Sequence, residues 1–287
     1  MCGEGKESPV EALAQPRFEL IPIEGAEKRA AHLPKGAKVA ISCSPTRGIE
    51  RTLLLGERLL DTGLRVVPHI AARLVADRAH LEEIVRWLDG LGVSEIFVIG
   101  GDAKEPAGPF SSAFELLCAM ADLGHHFEHV GIGGYPEGHP LIDDDTLRQA
   151  LLDKRPFATY IVSQMCFDPG AILDWVAGIR QLGIGLPVYV GIPGVVERKK
   201  LLQVSLKIGV GDSARFLTKY TGVLTRFLKP GGYSPDELVK GLVPYVGDRD
   251  YNIVGFHIYT FNQVESTERW RQQMPGFERA GSTVGSQ

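Results

Sequence analysis

The sequence predicts a closed (β/α)8 barrel, and three observations carry that expectation. Eight short apolar runs bounded by turn residues are separated by stretches of helical periodicity. Strands that alternate with helices pair in parallel through right-handed crossovers, and eight of them in about 250 residues suit a closed barrel better than an open sheet. The runner-up is a doubly wound sheet, but no strand here runs into the G-x-G-x-x-G turn which that fold uses for phosphates.

The expected strands are "RFELIP" (17–22), "AKVAISCS" (37–44), "LRVVPHI" (64–70) and "EIFVIG" (95–100), then "HVGIGG" (129–134), "ATYIVSQ" (158–164), "PVYVGI" (187–192) and "IVGFHIY" (253–259). Between them, "GIERTLLLGERLLDTG" offers Leu53, Leu54, Leu59 and Leu60 as a buried stripe, stopped by Gly63. "DRAHLEEIVRWLDGLG" opens on Asp77 as a cap, and "DPGAILDWVAGIRQLG" on Asp168 with Pro169 in the first turn. From about 196 to 246 the pattern is largely helical, so extra helices are expected before the last strand. No low-complexity linker divides the chain. One catalytic domain is expected over 17–275, with 1–16 a weakly ordered arm and 276–287 a flexible tail.

Bulk properties exclude several classes of function. The 287 residues are 44% hydrophobic and 23% charged, ordinary for a soluble globular protein. A net charge of −4 gives no reason to expect a nucleic-acid partner. No apolar run is long enough to span a membrane, and the polar N-terminus lacks the core of a secretory signal. Cys2, Cys43, Cys118 and Cys166 are scattered without metal-ligand spacing. A reduced, cytoplasmic protein without structural disulfides or a metal is expected, with outer helices that would allow a homo-oligomer.

In a barrel, chemistry collects at the carboxyl ends of the strands. The polar residues there are Glu19, Ser42, Ser44, His69, Asp102, Tyr135, Glu137, His139 and Gln164. Each has a plain explanation alone: Asp102 as a helix cap, His69 as a satisfied core group, Gln164 as a rim amide bonded to backbone. Six strands delivering them to one rim is the stronger signal. Glu19 sits inside an apolar strand, where burial would raise its pKa and suit it to general acid catalysis.

The strings "FELIPI", "VPHIAA", "FVIGGD", "GGYPEGHP", "SQMCFD" and "FHIYTFN" resemble, in order and spacing, motifs of the methylenetetrahydrofolate reductase family, over about residues 17–265. The family fold is a (β/α)8 barrel. The resemblance implies that NADH or NADPH reduces a bound FAD, which passes hydride to the methylene carbon of the folate, in a reaction of one-carbon metabolism whose direction, reductive or oxidative, stays open. By the same resemblance Glu19 is the proton donor to N10, and Asp102 is an acid near pterin and flavin. Gln164 contacts the pterin, and Ser42, His69, Gly101, Asp102, Tyr135 and His139 contact the flavin.

The chain departs from the family pattern at three places. The arginine before Gly-Asp is Gly100, the basic helix leading to Gln164 is rewritten around Lys154 and Arg155, and the arginine after the last strand is Gln263. Phosphates attract arginine and lysine, so the losses weaken the expected FAD site. Two alternatives follow: a flavin-free reductase with direct NAD(P)H-to-folate hydride transfer, and a non-catalytic folate-binding paralogue.

Overall fold

Alternating β-branched and aromatic runs fold as strands because one side of each can pack outward on helices while the other fills a closed interior. The computed structural model describes residues 13–197 and 234–274. The strands are β1 (Arg17–Leu20), β2 (Lys38–Ile41), β3 (Arg65–Ala71), β4 (Glu95–Ile99), β5 (His129–Gly134), β6 (Tyr160–Ser163), β7 (Val188–Pro193) and β8 (Ile253–Tyr259). All pair in parallel in chain order, and β8 closes onto β1 through Arg17↔His257 and Glu19↔Tyr259. The architecture is a (β/α)8 barrel.

The helices are α1 (Ala26–Ala30), α2 (Gly48–Leu60), α3 (Arg78–Gly90), α4 (Ala113–Leu123), α5 (Asp144–Lys154), α6 (Pro169–Gln181), α7 (Asp236–Leu242) and α8 (Val264–Gln272). Of the helices expected between 196 and 246, α7 is present, and 198–233 lies outside the described residues. Asp77 accepts the His80 N–H at 2.8 Å to cap α3, and Asp168 accepts that of Gly170 at 2.8 Å ahead of Pro169. The stripe on α2 differs from expectation. Ile49, Thr52, Leu53, Leu55, Gly56 and Leu59 are buried, whereas Leu54 is 38% exposed. A 100° step per residue turns Leu54 off the face that Leu53 and Leu59 share.

The interior is layered. At its floor the Arg17 guanidinium lies between the rings of Tyr160 (4.1 Å) and Tyr189 (3.9 Å) and pairs with Glu95, which also accepts from Lys38 at 2.6 Å. Burial pushes the Glu95 carboxyl up, but Arg17 and Lys38 outweigh it and hold it below its ordinary range. Gly131 makes room: a Cβ there would lie 2.3 Å from the Tyr160 ring. Above the floor, Ala40, Val67, Phe97, Tyr160 and Val162 form an apolar plug. Everything polar that lies higher therefore faces the carboxyl-end mouth. Packing of the chain already includes Leu13, which is fully buried, and Arg271 holds the Leu13 and Ala14 carbonyls at 3.0 and 3.2 Å.

Candidate active site at the barrel mouth

Glu19 projects from β1 into the interior above the plug, its side chain 16% exposed. Its Oε2 accepts from Nε2 of His257 on β8 at 3.1 Å and lies 3.9 Å from Nε2 of His69 on β3. Burial pushes the carboxyl up. The hydrogen bond from His257 and the fields of His69 and His257 outweigh it, and the pKa falls below its ordinary value. The direction is the reverse of the one expected from burial alone, because the strand register brings two imidazoles to one carboxylate. His69 is pulled the other way: burial, with His257 adding and Glu19 opposing, lowers it to about 4, so it is neutral near pH 7. His69 Nε2 and His257 Nδ1 are buried and, among the described residues, have no hydrogen-bond partner. Buried polar nitrogens left open in this way are the atoms that a ligand or water completes.

A corner after β8 fixes this carboxylate. Phe261 and Asn262 take left-handed backbone conformations, φ 49° and 61°. The Thr260 hydroxyl donates to the Glu19 carbonyl at 2.6 Å. The Asn262 amide brackets the next turn of β1, accepting from Ile21 N–H at 2.8 Å and donating to the Ile21 carbonyl at 2.9 Å. The strand that carries Glu19 is thereby tied on the β8 side by side chains as well as by the sheet.

Asp102 stands on the loop after β4 and is exposed. It does not cap the following helix: α4 is capped by Ser112, with Glu115 completing a capping box. Two tyrosines connect its surroundings to Glu19. Burial and the Asp102 charge both raise the Tyr135 phenol. Burial, Glu19 and Tyr135 together push Tyr259 well above its ordinary value. Both acids therefore act on one tyrosine-lined mouth, and no floor or plug residue intervenes in that series.

The remaining sequence-derived candidates line the same end with mixed freedom. Tyr135 and His139 pack edge to face at 5.4 Å, and His139 Nδ1 accepts the Leu141 N–H at 3.2 Å. Burial lowers the His139 imidazole against the pull of Asp102. The His69 ring rests on Phe97 at 4.7 Å. Ser42 is half-buried; its N–H bonds the Leu20 carbonyl at 2.9 Å, and its carbonyl accepts from Thr52 at 3.0 Å. Ser44 lies 3.3 Å from the Thr46 hydroxyl. Gln164 uses its Oε1 on the Met165 N–H at 2.8 Å, leaving the amide nitrogen for other work. Met165, Val196 and Phe261, with Phe167 and Tyr259, form an apolar wall beside it. Sequence reasoning missed His257, Tyr259, Thr260 and Asn262. The inward parity of β8 residues 257 and 259 was the available signal.

The two cations of the rewritten segment before Gln164 lie away from the mouth. Lys154 and Arg155 end α5, immediately before β6 begins, and Arg155 donates to Gly183 at the end of α6. That is the floor end of the barrel. Gly101 has φ 91°, and a Cβ there would lie 3.0 Å from the Ala71 Cβ, so packing on β3 already requires glycine. Gln263 accepts the Glu197 N–H at 2.9 Å, fastening the loop after β7. Arg47 and Lys104, on loops at the mouth, are exposed.

The chain matches the model of the family described as methylenetetrahydrofolate reductase over residues 23–212. It is similar to Methylenetetrahydrofolate reductase 1 of Schizosaccharomyces pombe, 35% identical over 65 residues, which are 22% of this chain and 11% of that protein. Methylenetetrahydrofolate reductase (NADH) 1 of Arabidopsis thaliana is 26% identical over 196 residues, 60% of this chain and 31% of the relative. Methylenetetrahydrofolate reductase 2 of Saccharomyces cerevisiae is 28% identical over 113 residues, 35% and 19% respectively. The matched span is thus under a third of each relative's length. Among the described residues no helix is long and apolar enough to cross a membrane.

Proposed function

The chain belongs to the methylenetetrahydrofolate reductase family, and on that premise we propose that it reduces the methylene group of methylenetetrahydrofolate to a methyl group. The observation that carries the reading is Glu19 at the mouth between His257 and His69, at the same opening as Asp102. Glu19 gives a proton to N10 of the folate. The C–N10 bond breaks with its electron pair left on N10, and the methylene carbon becomes an N5 iminium. Hydride from the nicotinamide of NADH or NADPH then closes the balance: one hydride and one proton enter, and methyl-folate and the oxidised nicotinamide leave.

Each residue acts through a stated atom. The hydrogen bond between Glu19 Oε2 and His257 Nε2 at 3.1 Å orients the carboxyl toward N10, the atom to which it delivers the proton. The Asp102 carboxylate favours the cationic iminium over the closed ring. The Gln164 amide nitrogen donates to the pterin edge, and the Met165–Val196–Phe261 wall gives the heterocycle an apolar surface. Asn262 and Thr260 hold β1 so that Glu19 keeps its place.

Two cofactor readings meet here. A bound FAD would relay the hydride, with Ser42, His69, Gly101, Tyr135 and His139 around its ring. The position of Lys154 and Arg155 at the floor end, with Gly100 in place of arginine, favours the flavin-free reading, in which NADH or NADPH reduces the folate directly. An absorbance spectrum of freshly purified protein, followed by an assay of methylenetetrahydrofolate-dependent NAD(P)H oxidation, tests both. Colourless, active protein is expected. A flavin band bleached by NAD(P)H and restored by the folate would establish the relay, and no folate-dependent oxidation would exclude a reductase.

A further inference from the structure

We propose that Arg73 is a positioning residue that moulds the β4–α4 loop and so sets Asp102 at the barrel mouth; the inference rests on the role given to Asp102 above. Arg73 lies in the short turn after β3. Its Nε donates to the Ala103 carbonyl at 2.6 Å, Nη2 to Lys104 at 2.5 Å and Nη1 to Ser111 at 3.2 Å. Its main chain joins in: Arg73 N–H bonds the Gly100 carbonyl at 3.0 Å, and the Ala107 N–H bonds the Arg73 carbonyl at 2.9 Å. The loop is thus held before Asp102, directly after it, and at its far end.

Two glycines show how closely the loop follows this template. A Cβ at Gly101 would lie 3.0 Å from that of Ala71, and one at Gly108 would lie 1.9 Å from the Ala76 carbonyl oxygen. Segment 71–76 therefore bounds the loop on both sides of Asp102. Among the described residues no carboxylate pairs with Arg73, so its N–H groups are committed to loop carbonyls. A guanidinium holds its donors in one rigid plane and can fix several carbonyls at set angles; a lysine ammonium rotates and cannot. Asp102, Lys104 and Glu105 are all exposed, so the stretch around Asp102 is held through Arg73, while the far end is also anchored by Ser111 and Ser112 donating to Glu115 and by buried Phe110.

A clamp that served folding alone would look the same in a stability measurement, so the test must read Asp102. Arg73→Gln, Arg73→Lys and Gly108→Ala are made in the full chain, each alone and combined with Asp102→Asn. Loosening the loop should lower kcat by on the order of 10²-fold, the usual penalty for misplacing a catalytic group by about 1 Å, with KM little changed. In the Asp102→Asn background the same changes should add almost nothing, because the group they misplace is already gone. Equal losses in both backgrounds, or full activity in Arg73→Gln, would overturn the proposal. A second readout needs no activity. Asp102 acts on the His139 imidazole, so Arg73→Gln should lower the His139 pKa read by NMR, as Asp102→Asn does, and the double variant no further. An unmoved His139 in Arg73→Gln refutes the positioning role, whether or not the chain reduces folate. Absent folate reduction in the wild type with the His139 effect intact would sink only the functional reading.

Discussion

Acid should destabilise this protein through His69 before it acts on the buried carboxylates. The ring is 5% exposed, and burial is the main reason its pKa falls from 6.5 to about 4. A histidine lowered on folding contributes stability that is complete above its unfolded pKa and is lost as pH falls through the window down to the folded one, because the unfolded chain binds the proton first. Each pKa unit is worth ~1.36 kcal/mol. The whole shift is therefore worth about 3 kcal/mol, of which about 2 kcal/mol disappears between pH ~7 and pH ~5. Glu19 and Glu95, whose pKa values are lowered, titrate below that window, so they add losses only at lower pH. The assay is urea unfolding of the wild type and His69→Gln at several pH values across it. Glutamine keeps a polar side chain and removes the titration, so only the pH slope is compared. The wild type should lose about 2 kcal/mol more than the variant. Parallel slopes, within about 0.5 kcal/mol, would show that His69 is not held neutral by burial.

Three other perturbations separate scaffold from site. Asn262→Ala removes both hydrogen bonds to Ile21 and puts at φ 61° a residue that tolerates the left-handed region less well than asparagine, so it should cost about 2–3 kcal/mol, with Asn262→Gly recovering the backbone part; urea midpoints decide. Gly191→Ala sets a Cβ 2.1 Å from the Ser163 carbonyl oxygen and 2.7 Å from the Tyr259 ring, and should destabilise by about 3 kcal/mol or more; an unchanged thermal midpoint would contradict the close strand packing. Arg17→Met leaves Glu95 with Lys38 alone in the floor and should cost about 3–5 kcal/mol, partly restored by Glu95→Gln, while KM for folate stays constant.

The fold was legible because its signals are local. All eight strands follow from apolar runs, and Asp77 and Asp168 cap their helices through bonds spanning two or three residues. The chemistry of the mouth was legible only as a set of residue types. Glu19 stands out in "FELIPI", yet the sign of its pKa shift depends on His257, which lies 238 residues away and reaches it only because β8 closes the barrel onto β1. The sequence does not place Lys154 and Arg155 of the rewritten segment; the end of α5, just ahead of β6, puts them at the floor. Leu54 was misplaced for a smaller reason: three consecutive leucines leave the helix phase undefined until their neighbours are counted. Arg73 carries no motif at all. Its bonds run to main-chain carbonyls, which leave no mark on the identity of the residues that supply them.

Proton delivery by Glu19 is the central step, and the direct measurement is kcat for methylenetetrahydrofolate reduction by Glu19→Gln beside the wild type. Glutamine fills the same space and can still meet His257 but has no proton of the right acidity to give to N10. A loss of about 10²–10⁴-fold is predicted, with folate binding retained. A variant that turns over at the wild-type rate would leave the carboxylate between His69 and His257 without a part in the reaction.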